Sequence, residues 1–349
     1  MSRYLAFPAP ANGPSLAVLL VNLGTPDAPD AASVRRYLSD FLSDPRVVEQ
    51  PRWLWWPILH GFVLRVRPAR SAQAYKSIWT ADGSPLQVGT RQLATRLDAR
   101  FQELAPGRVK VVHAMRYGAP SLADTLAELA REGMQRLLVV PLFPQFSATT
   151  TASVMDDLGR VLARWRKPPE LRFVSDYHAD ELHIDALAQS VRAHWQSHGR
   201  GERLLLSFHG IPQRYVESGD PYLDQCRATA AALQARLGIE GRQIIACFQS
   251  RVGREPWLQP YFDETLNALA GQGVRSVDVL SPGFAVDCLE TLEEIAMQGR
   301  DSFLKAGGEK FHFIACLNDS DDQVLALESL IWRQCAGWPE LSQRLADPA

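Results

Sequence analysis

Thr125-Leu126-Ala127-Glu128-Leu129-Ala130-Arg131-Glu132-Gly133, which runs on into the apolar stretch Leu137–Leu142, has a counterpart later in the chain. Thr265-Leu266, Leu269-Ala270 and Gly273 repeat its spacing ahead of Val277, at a constant offset of 140 (265 against 125). In both copies leucines three apart mark one helix face, a glycine ends the pattern, and an apolar strand follows. A second pair agrees with the first. Leu20-Val21-Asn22-Leu23-Gly24-Thr25-Pro26 is mirrored by Leu206-Ser207-Phe208-His209-Gly210-Ile211-Pro212. Self-similarity on this scale predicts two related α/β lobes.

Further strands and helices fit around these repeats. Ala17–Leu23, Val109–Ala114 and Leu137–Leu142 read as strands of the first half; Leu204–Phe208, Gln243–Phe248 and Val274–Leu280 as strands of the second. Val34, Tyr37, Leu38, Phe41 and Leu42 form a helical stripe, as do Leu93, Leu97, Phe101 and Leu104. Leu223–Leu237 and Leu258–Leu269 carry helical patterns, and Ser121 with Asp124 has capping-box spacing. Strands alternating with helices predict parallel sheets covered on both faces, hence two similar Rossmann-like lobes. The expected division is an N-terminal lobe over 15–150 and a C-terminal lobe over 151–320. A C-terminal helix within 321–349 is expected to pack back on the first lobe. Ligands of open α/β sheets bind beyond the carboxyl ends of the strands, so a cleft between the lobes is expected.

The 349 residues suffice for a substantial core, and a net charge of −2 gives no polyanion-binding surface, so nucleic acid is set aside as a partner. Five cysteines, none in a C-x-x-C pair, suggest neither a disulfide framework nor a thiolate zinc site and fit a reducing cytoplasm. Met1–Pro14 has no apolar h-region of a secretory signal. Trp53–Leu64, the most apolar stretch, is interrupted by Pro57 and His60 and falls short of the ~20 residues a bilayer span needs. Its tryptophans lie between Arg52 and Arg65, a pattern equally suited to a membrane-surface lip, a pocket mouth or a segment packed on the core.

The strand ends collect the candidate chemistry. The first half offers Leu23, Arg116, Tyr117 and Phe143; the second offers His209, Ser250, Phe284, Asp287 and Glu290, with Trp257 nearby. A flat apolar ligand with charged edges suits such a set. A nucleotide does not, because neither G-x-G-x-x-G at the first strand–helix turn nor G-x-x-x-x-G-K-[ST] occurs. His209, beside Gly210, is a candidate general base or metal ligand. A helix over 287–298 would align Asp287, Glu290, Glu294 and Gln298 on one face. That row could carry a cation or protons, or could be a solvated outer face.

Several of these motifs together resemble the ferrochelatase family. They are Asn22-Leu23-Gly24-Thr25-Pro26, Gly83-Ser84-Pro85, Ser207-Phe208-His209-Gly210-Ile211-Pro212, Gly219-Asp220-Pro221-Tyr222, Phe248-Gln249-Ser250-Arg251-Val252-Gly253 with Pro256-Trp257-Leu258, and Phe284–Glu294. They follow the family's order over roughly residues 16–335. The resemblance implies a chelatase-like fold and the insertion of ferrous iron into protoporphyrin IX, giving protohaem and two protons in the last step of haem synthesis. It implies that His209 and Glu290 carry the chemistry, as catalytic and metal-binding groups. Asp287 and Glu294 would extend a proton or metal path. Leu23, Arg116, Tyr117, Phe143, Ser250, Trp257 and Phe284 would line the porphyrin or steer its propionates, with Arg116 on either the propionate or the metal side. Iron(2+) would be a substrate, with no permanently bound cofactor.

Departures from the family pattern are specific. Cys288 stands where many members have histidine. Ala148 replaces a cluster ligand of some members and only Cys335 lies near the C-terminus, so no [2Fe–2S] cluster is expected. Leu23 resembles the protoporphyrin type more than the coproporphyrin type. A cytoplasmic protein is implied, with Trp53–Leu64 a candidate for peripheral contact at the inner membrane face. The rivals are a chelatase of corrin or sirohaem precursors, which would usually use paired histidines, and a non-catalytic porphyrin carrier, which has no need of His209 with Glu290.

Overall fold

A computed structural model describes residues 4–7, 13–253 and 255–341. Its strands form two four-stranded parallel sheets. β1 (Leu16–Gly24), β2 (Val109–Tyr117), β3 (Arg136–Pro141) and β4 (Glu170–Phe173) lie in the order β2-β1-β3-β4. β5 (Arg203–His209), β6 (Ile244–Gln249), β7 (Ser276–Leu280) and β8 (Lys310–Ile314) lie in the order β6-β5-β7-β8. The order is the same in both, and the repeated helix-to-strand segments occupy equivalent places: Leu122–Glu132 precedes β3, and Phe262–Gly271 precedes β7.

The central strands are apolar without alternation because both of their faces are covered. Leu16 to Val21 are at most 1% exposed. On one face of the second sheet, Leu204, Leu206 and Leu280 pack with Ile184, Leu187 and Val191 of the helix Glu181–His198. On the other, Leu205, Val277 and Val279 pack with Phe262, Leu266 and Phe303. Ser121 caps its helix as its spacing predicts, its Oγ accepting the Asp124 N–H at 3.1 Å.

The chain divides into two compact units, one of residues 1–142, 148–175 and 324–349, the other of 143–147 and 176–323. The first unit therefore extends past the expected boundary at 150, because β4 adds to its sheet beside β3. The short run Phe143–Ser147 instead joins the second unit. There Gln145 Nε2 donates to Thr229 Oγ1 at 3.0 Å, and the Phe146 N–H donates to Gln225 Oε1 at 2.6 Å. The helix expected from Leu258 starts at Phe262. Pro260 disfavours helical backbone at the residue before it, and Leu258 is buried instead.

Gly24 shows how closely the strand ends approach. Its φ is +113°, and a Cβ placed there would stand 1.8 Å from the Tyr117 carbonyl oxygen. Gly24→Ala should therefore destabilise the first unit by about 2 kcal/mol or more. Thermal denaturation should read this as a fall in Tm of about 4 °C or more.

Candidate active site

In the second unit, β5 and β6 end side by side with His209 opposite Gln249. The Gly210 N–H donates to Gln249 O at 2.8 Å, and a Cβ on Gly210 would lie 2.8 Å from that oxygen and 3.2 Å from the Trp257 ring. Only glycine lets the chain pass beneath Trp257 here. Pro212 pairs with Trp257, and the Leu258 N–H donates to Ile211 O at 3.0 Å, which fixes Trp257 over the end of β5. The Trp257 indole N–H is buried with no hydrogen-bond partner among the described residues.

His209 Nδ1 lies 2.6 Å from Gly210 O. A carbonyl can only accept, so in the neutral ring Nδ1 holds the proton and Nε2 carries the free lone pair. The side chain is half-buried, reachable yet partly shielded from water.

The acidic segment differs from the expected single helix. A short α-turn, Leu289–Leu292, passes into a π-turn, Glu294–Gly299, in which the Gln298 N–H donates to Glu293 O at 2.9 Å. The wider turn breaks the i, i+4 register, so Gln298 is exposed and its Nε2 donates to Glu293 Oε1 at 2.7 Å. Asp287 precedes the turn and leaves the predicted row altogether. Its carboxylate is buried, accepting from Thr291 Oγ1 at 2.9 Å, Asn318 Nδ2 at 2.8 Å and the Cys316 N–H at 3.3 Å. It anchors the loop after β8 rather than facing a ligand.

Glu294 is clamped to the end of β6. The Ser250 N–H donates to its Oε1 at 2.7 Å, Ser250 Oγ donates to its Oε2 at 2.5 Å, and Gln249 Nε2 lies 3.4 Å from the same Oε2. Gln249 also donates to Glu290 O at 2.6 Å and accepts from Ser207 Oγ at 2.7 Å. β5, β6 and the acidic turn are thus held by one amide side chain. Burial pushes the Glu294 carboxyl above its ordinary value; the Ser250 hydrogen bonds and the charge of His209 oppose this, and the charge of Glu290 adds to it. Glu294 therefore lies within electrostatic reach of both His209 and Glu290. Burial and the neighbouring Glu290, to which it hydrogen-bonds, raise the Cys288 thiol and keep it protonated. A cavity of about 300 Å³ opens beside the clamp, with Ser250, Arg251, Glu294 and Gln298 among its walls.

Phe284 and Phe143 are half-buried at the ends of β7 and β3. Leu23, at the end of β1, is half-buried too, its N–H donating to Asn22 Oδ1 at 2.8 Å. Arg116 and Tyr117 have a different environment from the one expected of ligand-facing groups. The Arg116 Nε donates to Ser153 O at 3.0 Å and Oγ at 2.7 Å, its Nη1 lies 3.5 Å from Asp157, and its Nη2 donates to Asp44 Oδ2 at 2.5 Å. The Tyr117 hydroxyl donates to the same Asp44 oxygen at 2.7 Å, beneath the Arg116 guanidinium. Both side chains are used inside the first unit. Asp44, Ser153 and Gln249 had no assigned role in the sequence; only Gln249, within a quoted motif, had any signal there.

The sequence profile of the ferrochelatase family matches residues 15–335. This chain belongs to the ferrochelatase family. Ferrochelatase of Thioalkalivibrio sulfidiphilus is 53% identical over 325 residues, 93% of this chain and 88% of its own length. Ferrochelatase 1 of Shewanella oneidensis is 51% identical over 329 residues, covering 93% of this chain and 97% of its own. In fold, the chain is similar to SirB from Bacillus subtilis with Fe3+, with a TM-score of 0.55 at 12% identity over 92% of this chain and 96% of that one. Ferrochelatase motifs therefore coincide here with two four-stranded sheets of one topology.

The Asp44 network yields a stability test. Burial alone would raise its carboxyl; hydrogen bonds from Ser153, the Arg46 N–H and Tyr117, with the charge of Arg116, hold it below the ordinary value of 3.8. Asp44→Asn removes the nearer of two countercharges from a buried guanidinium, leaving only Asp157 at 3.5 Å, and should cost about 3 kcal/mol at pH 7. A lowered carboxyl contributes stability above its unfolded pKa and loses it as pH falls through the folded value. The Tm gap between wild type and Asp44→Asn should be about 6 °C or more at pH 7 and should close below about pH 4.

Proposed function

We propose that this chain inserts ferrous iron into protoporphyrin IX, with His209 Nε2 taking pyrrole protons and Glu290 acting with it at the metal. Insertion of iron into a porphyrin in haem synthesis is the activity that membership of the ferrochelatase family assigns. The choice of porphyrin and the residue roles are our reading. The observation that carries the role of His209 is the 2.6 Å contact of its Nδ1 with Gly210 O. With Nδ1 committed to Gly210 O, the lone pair on Nε2 is the free base of this strand end, within reach of the charge of Glu294.

The reaction releases two N–H protons for each iron bound. A base must reach nitrogens that a planar macrocycle hides, so binding energy is used to bend the ring. Phe143, Trp257 and Phe284 supply apolar contact for that ring. The protons then need an acceptor that leads away from the ring. Glu294, raised by burial and bordering the open cavity, suits that relay. Ser250 acts as a positioning residue through its two bonds to Glu294. Asp287, bonded on both oxygens, holds the turn that presents Glu290 and is left out of the path.

A porphyrin carrier would have no use for a tautomer-fixed imidazole within electrostatic reach of Glu294. With protoporphyrin IX and ferrous iron under anaerobic conditions, the intact protein should turn over. His209→Ala and Glu290→Gln should each lose about 100-fold or more in turnover while still quenching porphyrin fluorescence on binding. Either variant keeping more than about a tenth of the activity would remove that residue's assigned role. Stoichiometric binding with no turnover by the intact protein would favour the carrier.

We also propose peripheral contact with an anionic membrane surface through the helix Arg52–Ile58 and the turn Leu59–Val63 that follows it. Among the described residues no helix is long and apolar enough to cross a membrane. Trp53 is 79% and Phe62 66% exposed, whereas Trp55 turns inward and its Nε1–H donates to Leu42 O at 2.7 Å. Outward aromatics beside Arg52 and Arg65 match an interfacial segment. Sedimentation with phosphatidylglycerol vesicles should recover the protein, and Trp53→Ala/Phe62→Ala should lower the bound fraction several-fold. Equal recovery of both proteins would reject this surface.

A further inference from the structure

His194, Asp278 and His312 form a cluster at the other end of the second sheet from His209. Asp278 on β7 pairs in register with Leu204, near the start of β5, and with His312 on β8. His209 closes the far end of β5. The helix Glu181–His198 packs on this face and brings His194 over the pair.

Asp278 is fully buried, and among the described residues its ionic partners are the two histidines, with no lysine or arginine. One carboxylate oxygen is fixed from the protein side: Oδ2 accepts from the Trp195 indole N–H at 2.7 Å and from the Gly201 N–H at 2.8 Å. The other, Oδ1, faces His312 Nδ1 at 3.0 Å and His194 Nε2 at 3.8 Å. His194 Nε2 is buried and makes no hydrogen bond among the described residues. A buried carboxylate flanked by neutral donors, with an unused imidazole nitrogen beside it, lacks a positive charge.

The spacing suits a cation. One atom from each residue lies within 4.8 Å of the others. Ligands on a tetrahedron with bonds of about 2.0–2.1 Å stand about 3.4 Å apart. The distances of 3.0 and 3.8 Å from Asp278 bracket that value, so small rotamer shifts would seat an ion. Two imidazoles and one carboxylate form a set that zinc, cobalt(II) and iron(II) accept. The hydrogen bonds to Oδ2 are the outer-shell support that orients a ligating carboxylate. The His312 side chain is 26% exposed, which gives the ion a way in and leaves room for water as a fourth ligand.

We propose that His194 Nε2, Asp278 Oδ1 and His312 Nδ1 form a second binding site for a divalent transition-metal ion, of zinc type, apart from the site of porphyrin chemistry. The proposal does not depend on the substrate assigned above. The site provides a countercharge for Asp278 and ties the helix Glu181–His198 to β7 and β8.

The test uses cobalt(II) as a spectroscopic probe on the full chain carrying His209→Ala and Glu290→Gln, which disable the other candidate site. One equivalent should give the visible absorption of a four-coordinate ion with nitrogen and oxygen ligands. Adding His194→Gln or His312→Gln should abolish it. Two variants are used so that a failure of one to fold leaves the other, and each is checked by its Tm without metal. Zinc at about 100 times its Kd should raise the Tm of the parent by about 5 °C or more and that of His194→Gln by much less. Absence of the cobalt spectrum from the parent would overturn the proposal and leave a proton on imidazole as the countercharge. A spectrum that survives both substitutions would overturn it as well, by placing the ion elsewhere.

Discussion

The clamp between Ser250 and Glu294 is the constraint on which the rest of the second unit's chemistry depends. Two donors from one residue, a backbone N–H and a hydroxyl, grip both oxygens of a carboxylate whose affinity for a proton burial raises. Gln249 continues the same grip to Glu290 O and back to Ser207. The acidic turn is therefore positioned by the end of β6, and β6 is positioned by the strand that carries His209. A base and an acidic segment far apart in sequence acquire fixed geometry through hydrogen bonds among neighbouring strand ends, where open α/β sheets place their ligands.

The two units share a strand order but use their strand ends differently. At the end of β2, Arg116 and Tyr117 are absorbed into a buried network around Asp44, where one carboxylate oxygen accepts from arginine, tyrosine and serine. At the end of β6, in the equivalent place, Gln249 and Ser250 hold a carboxylate next to a titratable histidine. Both are carboxylates held at a strand end. One is held below the ordinary carboxylate value and enclosed; the other is raised above it by burial. Fold similarity thus extends to the architecture and stops at the chemistry, which is set by individual side chains.

Much of this was legible in the sequence, for identifiable reasons. The central strands β1, β3, β5 and, but for Asp278, β7 announce themselves as apolar runs, because a parallel strand covered on both faces can hold little else, and the edge strands β2 and β6 keep enough apolar residues to be read as strands too. The other two edge strands, β4 and β8, are less legible: Glu170-Leu171-Arg172-Phe173 and Lys310-Phe311-His312-Phe313-Ile314 mix polar and apolar residues and resemble loop sequence. His209 could be found because a strand end beside glycine is a local feature. The inward turn of Arg116 could not, since its partners Asp44 and Ser153 lie 72 and 37 residues away. The row from Asp287 to Gln298 was misread for a related reason. A helical period of 3.6 was assumed where Asp287 lies ahead of the helical turn and a wider π-turn follows Glu293, although Glu294 and Gln298 still border one cavity. Asp287 shows the same limit, its partners Cys316 and Asn318 coming from the loop after β8.

Ser250 has a φ of 64°, a left-handed conformation that costs a side-chain-bearing residue about 1–3 kcal/mol. Glycine would remove that cost, yet it would also remove the hydroxyl that holds Glu294. Selection for thermal robustness and selection for turnover therefore act in opposite directions on this one codon. A lineage or laboratory screen that rewards only heat resistance would drift toward glycine here and keep only the backbone half of the clamp.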